Sequence, residues 1–301
     1  MMSLYLPAVI FALVLGAAVH ALRLRKAGLN PRCAAVTLPV SALLGFLLAK
    51  VLYVLLQFNY VWPRWGVASF LRMQPTEFSF FGGIGGVLLG VILIGKLLHI
   101  PVRSNLDAFA PGMALICGLW KFSEYFLGEF GSGSYVETEA FRFFPMAITN
   151  QYEEWYYAVF MLAGVCGLIV FAVSLLRGGR CAQMPGLLFG RTAFYLALPM
   201  ILCESLRTEC MKWGFVKCEQ VLCAVTIGAV ILSLCIAARS AHRSRFLPIA
   251  GVLLIAAGLV GVEFMLDKLS YPEYVGYSIM LALLFLLALL EVFTVRRCLK
   301  K

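Results

Sequence analysis

Five charged side chains, Lys50, Lys121, Glu124, Glu204 and Arg207, lie inside or at the rim of long apolar segments. An ionised group in a bilayer is expensive, so such residues are retained for a substrate pathway, a proton route or a reaction centre. Lys121 and Glu124 are three apart, as are Glu204 and Arg207, and residues at that spacing share one face of a helix. Either pair alone reads as well as a structural ion pair, each partner keeping the other from being buried alone. Three helices aiming charge at one depth instead suit a site for an anionic, membrane-resident substrate. Cations near the headgroup plane hold a lipid phosphate and stabilise charge that develops on it as a leaving group. A carboxylate beside them takes a proton from an incoming nucleophile. Other chemistries find little support. The three histidines form no metal set, and Gly-x-Ser-x-Gly, Cys-x-x-Cys and the Gly-Lys-Ser/Thr phosphate loop are all missing. Neither metal nor cofactor is expected.

The elements that position these residues follow from composition. Of 301 residues, 62% are hydrophobic and 13% charged, with a mean hydropathy of +0.92. Apolar runs of about 20 residues recur along the chain, which defines an all-α, polytopic membrane protein. Spans are expected at about 3–22, 35–57, 78–98, 107–127, 157–176, 186–206, 219–237, 247–265 and 276–294. The first run is too long for a signal-peptide core of about 7–15 residues and is retained as a helix. The net charge of +10 follows topology and so is no footprint of nucleic acid. Sixteen Lys and Arg fall in one set of alternate loops and seven in the other. The positive-inside bias then gives an outer N-terminus, nine crossings and an inner C-terminus. All five charged residues thereby face the outer leaflet. The inner halves of spans two, four and six carry almost no charge, which argues against a transport conduit.

Gly82, Gly86 and Gly90 form a stripe that lets a neighbouring backbone approach closely. Gly83 and Gly85 lower helix propensity without extending that stripe, and suit a broken helix start where a ligand approaches. The long outer loop at about 128–156, rich in aromatics and interrupted by glycine, is expected to lie on the interface or to cover a cavity.

Four segments over roughly residues 1–237 resemble the bacterial prolipoprotein diacylglyceryl transferases. Gly45 to Lys50, then Tyr53-Val54, is similar to that family's Gly-Arg-x-x-Tyr-Val pattern. Ser79-Phe80-Phe81-Gly82-Gly83 is similar to its Ser-Phe-His-Gly-Gly. Asp107 to Pro111, followed by Lys121-Phe-Ser-Glu124 and Gly128-Glu129, resembles its Asp-x-x-Ala-Pro and Gly-Arg-x-Gly-Asn-Phe-x-Asn-Gly-Glu segments. Tyr195 to Glu204-Ser-Leu-Arg207 resembles its Tyr-Gly-x-x-Arg-x-x-x-Glu-x-x-Arg. The family's histidine is Phe81 here, its fourth-helix arginine Lys121, its asparagine Glu124, and the first arginine of its last motif Met200. Lysine keeps the charge but loses the planar fork that grips phosphate twice.

The resemblance implies transfer of a diacylglyceryl group from phosphatidylglycerol to the cysteine thiol of prolipoprotein signal peptides, in the bacterial plasma membrane. It implies a catalytic set of Lys121, Glu124, Glu129, Glu204 and Arg207. Tyr5, Lys50, Tyr53, Gly82, Gly83 and Gly128 would contact the lipid. It also implies a seven-helix core over 1–237, with two additional membrane helices over 238–301. A relative acting on another lipid or acceptor, a lipid-binding relative without turnover, and a small transporter are the alternatives.

Overall fold

The computed structural model describes residues 4–150, 152–177, 184–208, 210–213, 216–239, 246–268 and 272–299. The chain divides into two compact units. The first comprises residues 1–192 and 207–211. It contains α1 (Tyr5–Lys26), α2 (Arg32–Leu56), the short α3 (Phe58–Trp65), α4 (Phe80–Leu97), α5 (Val102–Ser123), α6 (Val159–Arg177) and the start of α7 (Leu187–Leu206). The loop after α5 folds into an antiparallel hairpin of β1 (Ala147–Thr149) and β2 (Trp155–Tyr157). The second unit takes the rest of α7, the small hairpin β3 (Lys212–Trp213) and β4 (Val216–Lys217), then α8 (Cys218–Arg239), α9 (Phe246–Lys268) and α10 (Glu273–Leu299).

Among the described residues, α1, α2, α4 and α6 to α10 are long and apolar enough to cross a membrane, eight helices in all. The protein is thus a multi-pass helical bundle. The remaining expected span is α5, a 22-residue helix that is more polar than the rest. It tolerates that polarity because it runs through the middle of the first unit, packed on α1 and α6. Its polar side chains serve its neighbours. Asn105 donates to the Val91 carbonyl of α4 at 2.9 Å and bonds His20 of α1 at 3.1 Å. Asp107 accepts from the backbone N–H of Gly186 at 2.6 Å and of Phe189 at 2.8 Å, capping the start of α7.

Close backbone approach builds this unit. A Cβ on Gly82, Gly86 or Gly90 would strike the Leu48 carbonyl, the Leu44 carbonyl or Ser41 of α2. The stripe is therefore a helix-packing surface, reinforced by Ser41 Oγ donating to the Val87 carbonyl at 3.0 Å. The broken start expected at Gly83 and Gly85 does not occur. Helix α4 begins regularly at Phe80, and the Ser79 hydroxyl caps it by accepting from the Gly82 N–H at 3.3 Å. Gly85 faces open space. Substituting Gly86 by Val should accordingly lower stability by about 3 kcal/mol, at the upper end of overpacking costs, while Gly85→Ala leaves it unchanged or raised. Thermal unfolding in detergent distinguishes the two.

Candidate functional site

Lys121 occupies the last turn of α5 and is only 1% exposed. Its Nζ lies 2.8 Å from Glu124 Oε1 and 4.6 Å from the centre of the Phe80 ring. The expected fourth helix ends earlier than its apolar run suggests. From Glu124 to Gly131 the chain tightens into a 3-10 stretch, and Gly128 turns at φ +64°. A left-handed turn of this kind is steric strain for any residue with a Cβ.

Arg207 was expected on one helical face with Glu204. Helix α7 ends at Leu206, however, and Arg207 instead bridges to the backbone of Gly133. Its guanidinium donates to the Phe130 carbonyl at 2.9 Å and faces Glu124 Oε2 at 3.7 Å. Among the described residues, Oε2 accepts no hydrogen bond. Glu124 thus sits between two cations, with one oxygen bonded to Lys121 and the other, also buried, facing Arg207.

Tyr5 completes this group. Its hydroxyl accepts from the Trp120 indole N–H at 2.8 Å and lies within electrostatic range of Glu124, Lys121 and Arg207. Tyr5 and Trp120 also line an apolar cavity of about 480 Å³ between α1 and α2. Its walls include Leu6, Val9, Leu13, Ala42 and Phe46, and Phe78 lines it from the segment before α4. Gly83 belongs to this arrangement indirectly, because a Cβ there would strike the Trp120 ring. Gly82 does not, since it is closed against α2.

Lys50 has a counter-ion of its own. Its ammonium, 4% exposed as a residue, pairs with Glu77 Oε2 at 2.9 Å, and Arg72 Nε holds Glu77 Oε1 at 2.9 Å. The Lys50 charge lies 5.1 Å from the ring centre of Phe78 and 5.5 Å from that of Tyr53. The Lys50 cluster and the cavity thus share Phe78.

Glu129 is exposed and stands apart from the buried carboxylate. It accepts from Asn150 Nδ2 at 2.7 Å, and Asn150 also donates to Glu154 at 2.9 Å, tying the start of the long loop to its end. The Tyr156 phenol donates to Glu154 at 2.9 Å, which raises its pKa above the ordinary value. Glu204 belongs to the second unit, where it is 2% exposed and its backbone carbonyl accepts from Lys217 Nζ at 2.7 Å.

Glu77, Arg72 and Trp120 are participants that the sequence reading passed over. Glu77 stands in a loop, 27 residues from Lys50. The available signal was a buried lysine in need of a counter-ion. Trp120, directly before Lys121, could have been read as an amphipathic side chain with its N–H seeking a partner. No cluster of three or more metal-binding side chains exists among the described residues.

Fold and site define a multi-pass membrane protein with a buried cation–carboxylate set and, sharing Tyr5 and Trp120 with its surroundings, an apolar cavity. The chain belongs to the prolipoprotein diacylglyceryl transferase family, whose model matches residues 2–236. Members of that family are transferases acting on prolipoproteins and lipid in the membrane. No curated protein matches the chain. Helices α9 and α10 lie beyond the matched segment.

Proposed function

We propose that this chain transfers a diacylglyceryl group from phosphatidylglycerol to the lipobox cysteine thiol of prolipoproteins, in the bacterial plasma membrane. The thiol sulfur attacks the glyceryl carbon that bears the phosphate. The C–O bond breaks, a thioether forms, glycerol phosphate leaves, and the thiol proton goes to Glu124. Lys121 and Arg207 hold the phosphate and stabilise the charge that grows on it. Acyl chains enter the cavity between α1 and α2, and the Tyr5–Trp120 pair separates them from the ionised groups. A cavity of this size falls within the ordinary range for small-molecule sites, about 300–1,000 Å³. Lys50, with Tyr53, meets the polar part of the lipid at the Phe78 side. Glu129 and Gly128 shape the outer loop, and Glu204 orients the helix end that precedes Arg207.

One observation carries this reading: the Lys121–Glu124–Arg207 set lies within electrostatic range of Tyr5, which with Trp120 lines an apolar cavity. A second, independent support is the family match over most of the chain. The test uses purified protein in vesicles of phosphatidylglycerol or of phosphatidylethanolamine, with a lipobox peptide as acceptor. Mass spectrometry should find the diacylglyceryl thioether, and released glycerol phosphate, only with phosphatidylglycerol. Equal product from both lipids overturns the donor assignment. Lipid binding without product in either overturns the reaction.

A further inference from the structure

The last two helices carry two buried carboxylates, Glu263 on α9 and Glu291 on α10, 7% and 0% exposed. Neither is an idle polar residue. Glu291 accepts from the Tyr195 hydroxyl of α7 at 2.9 Å, and Glu263 accepts from Gln220 Nε2 of α8 at 2.6 Å. Gln220 makes a second bond with the same amide nitrogen, donating to the Ile201 carbonyl of α7 at 3.0 Å. One turn earlier, Lys217 Nζ donates to the carbonyls of Glu204 at 2.7 Å and Ser205 at 2.6 Å.

A helix end leaves its last carbonyls without intrahelical partners, and a cation there also complements the helix dipole. Two side chains meet this end of α7: Lys217 of β4 takes up the Glu204 and Ser205 carbonyls, and Gln220 of the first turn of α8 holds the Ile201 carbonyl one turn further back. One of them, Gln220, is itself held by α9. A primary amide turns freely about its last torsion unless its partners fix it. Glu263 supplies that second fixed point, so the amide presents its N–H groups to Ile201 in one orientation.

We infer that Glu263 is a positioning residue for the transfer reaction: through Gln220 it fixes the last turn of α7, which carries Glu204 and runs directly into Arg207. This rests on the transferase reading for its effect on activity, but not for its effect on α7. It assigns a task to α9, one of the two additional membrane helices outside the family match.

The test compares Glu263→Leu and Glu263→Gln in the full chain, in nanodiscs containing phosphatidylglycerol. The glutamine keeps an oxygen that accepts from Gln220, whereas leucine removes it. For Glu263→Leu, amide hydrogen exchange should rise in the peptides covering 200–206 and stay unchanged in α1 to α6. Turnover of a lipobox peptide should fall about tenfold or more, as expected for a misplaced site, with KM nearly constant. Glu263→Gln should match the parent in both readouts. Gln220→Met, which cuts the relay from the other side, should reproduce the leucine pattern and is read by the same criteria if Glu263→Leu does not fold. Unchanged exchange at 200–206, exchange raised throughout the chain, a glutamine variant as impaired as the leucine one, or failure of both cutting variants to fold each overturn the inference. If the parent protein shows no transfer at all, the proposed function fails, and the exchange data still decide whether Glu263 holds α7.

Discussion

Lys121→Ala should reduce diacylglyceryl transfer by about 10²–10³-fold, the usual loss when a preorganised group facing developing negative charge is removed. Lys121 is buried, with the Glu124 carboxylate at 2.8 Å and the Phe80 ring at 4.6 Å. Alanine removes a cation and leaves Glu124 with Arg207 at 3.7 Å as its remaining ion pair. Breaking a buried pair on one side costs about 3–5 kcal/mol, so the variant must first be shown to be folded by gel filtration and thermal unfolding. Lys121→Arg serves as the companion. It restores the charge with a bulkier head and should recover part of the rate. The readout is conversion of a lipobox peptide by membranes carrying each variant. Undiminished turnover in the alanine variant removes Lys121 from the mechanism.

Glu124→Gln tests the other half of the site. The amide keeps the shape of the carboxylate and still accepts from Lys121, but it cannot take up a proton. If Glu124 receives the thiol proton, kcat should drop by about 10²-fold or more while phosphatidylglycerol binding is nearly unchanged. A purely structural carboxylate predicts a different result, with affinity and rate falling together. Single-turnover kinetics beside a lipid-binding titration separate the two.

Residues close in sequence disclosed their relationship, and residues joined only by folding did not. Lys121 and Glu124 were legible as a pair because three residues of helix bring their side chains together, and the 3-10 turn after Ser123 preserves that contact. The spans were legible because bilayer thickness imposes a length of apolar chain. Even α5, the most polar of the expected spans, is a helix over nearly the expected stretch. The Lys50 partner was not legible, because Glu77 stands in a loop to which no periodicity applies. Arg207 was assigned a helical face that ends one residue before it, since nothing in Glu204-Ser-Leu-Arg207 announces that the chain will pair with Gly133. The extra glycines were half understood. Gly83 makes room for an indole ring, a requirement set by Trp120 on another helix and invisible along α4 itself.

The charge state of the Lys121–Glu124–Arg207 set has a consequence for how the reaction ends. Taken by themselves, the two cations and one carboxylate of this set carry a single excess positive charge, which on the proposed reading matches a phosphodiester anion. The proposed cleavage turns that diester into a monoester carrying roughly −1.5 to −2 at neutral pH. At the same step the carboxylate is neutralised by the proton it receives, so pocket and departing group change charge together and stay balanced. Once the proton is lost to bulk water, the balance tips toward the anion and glycerol phosphate is ejected. Turnover would then be timed by deprotonation of Glu124, and a solvent isotope effect on product release is where it would be seen.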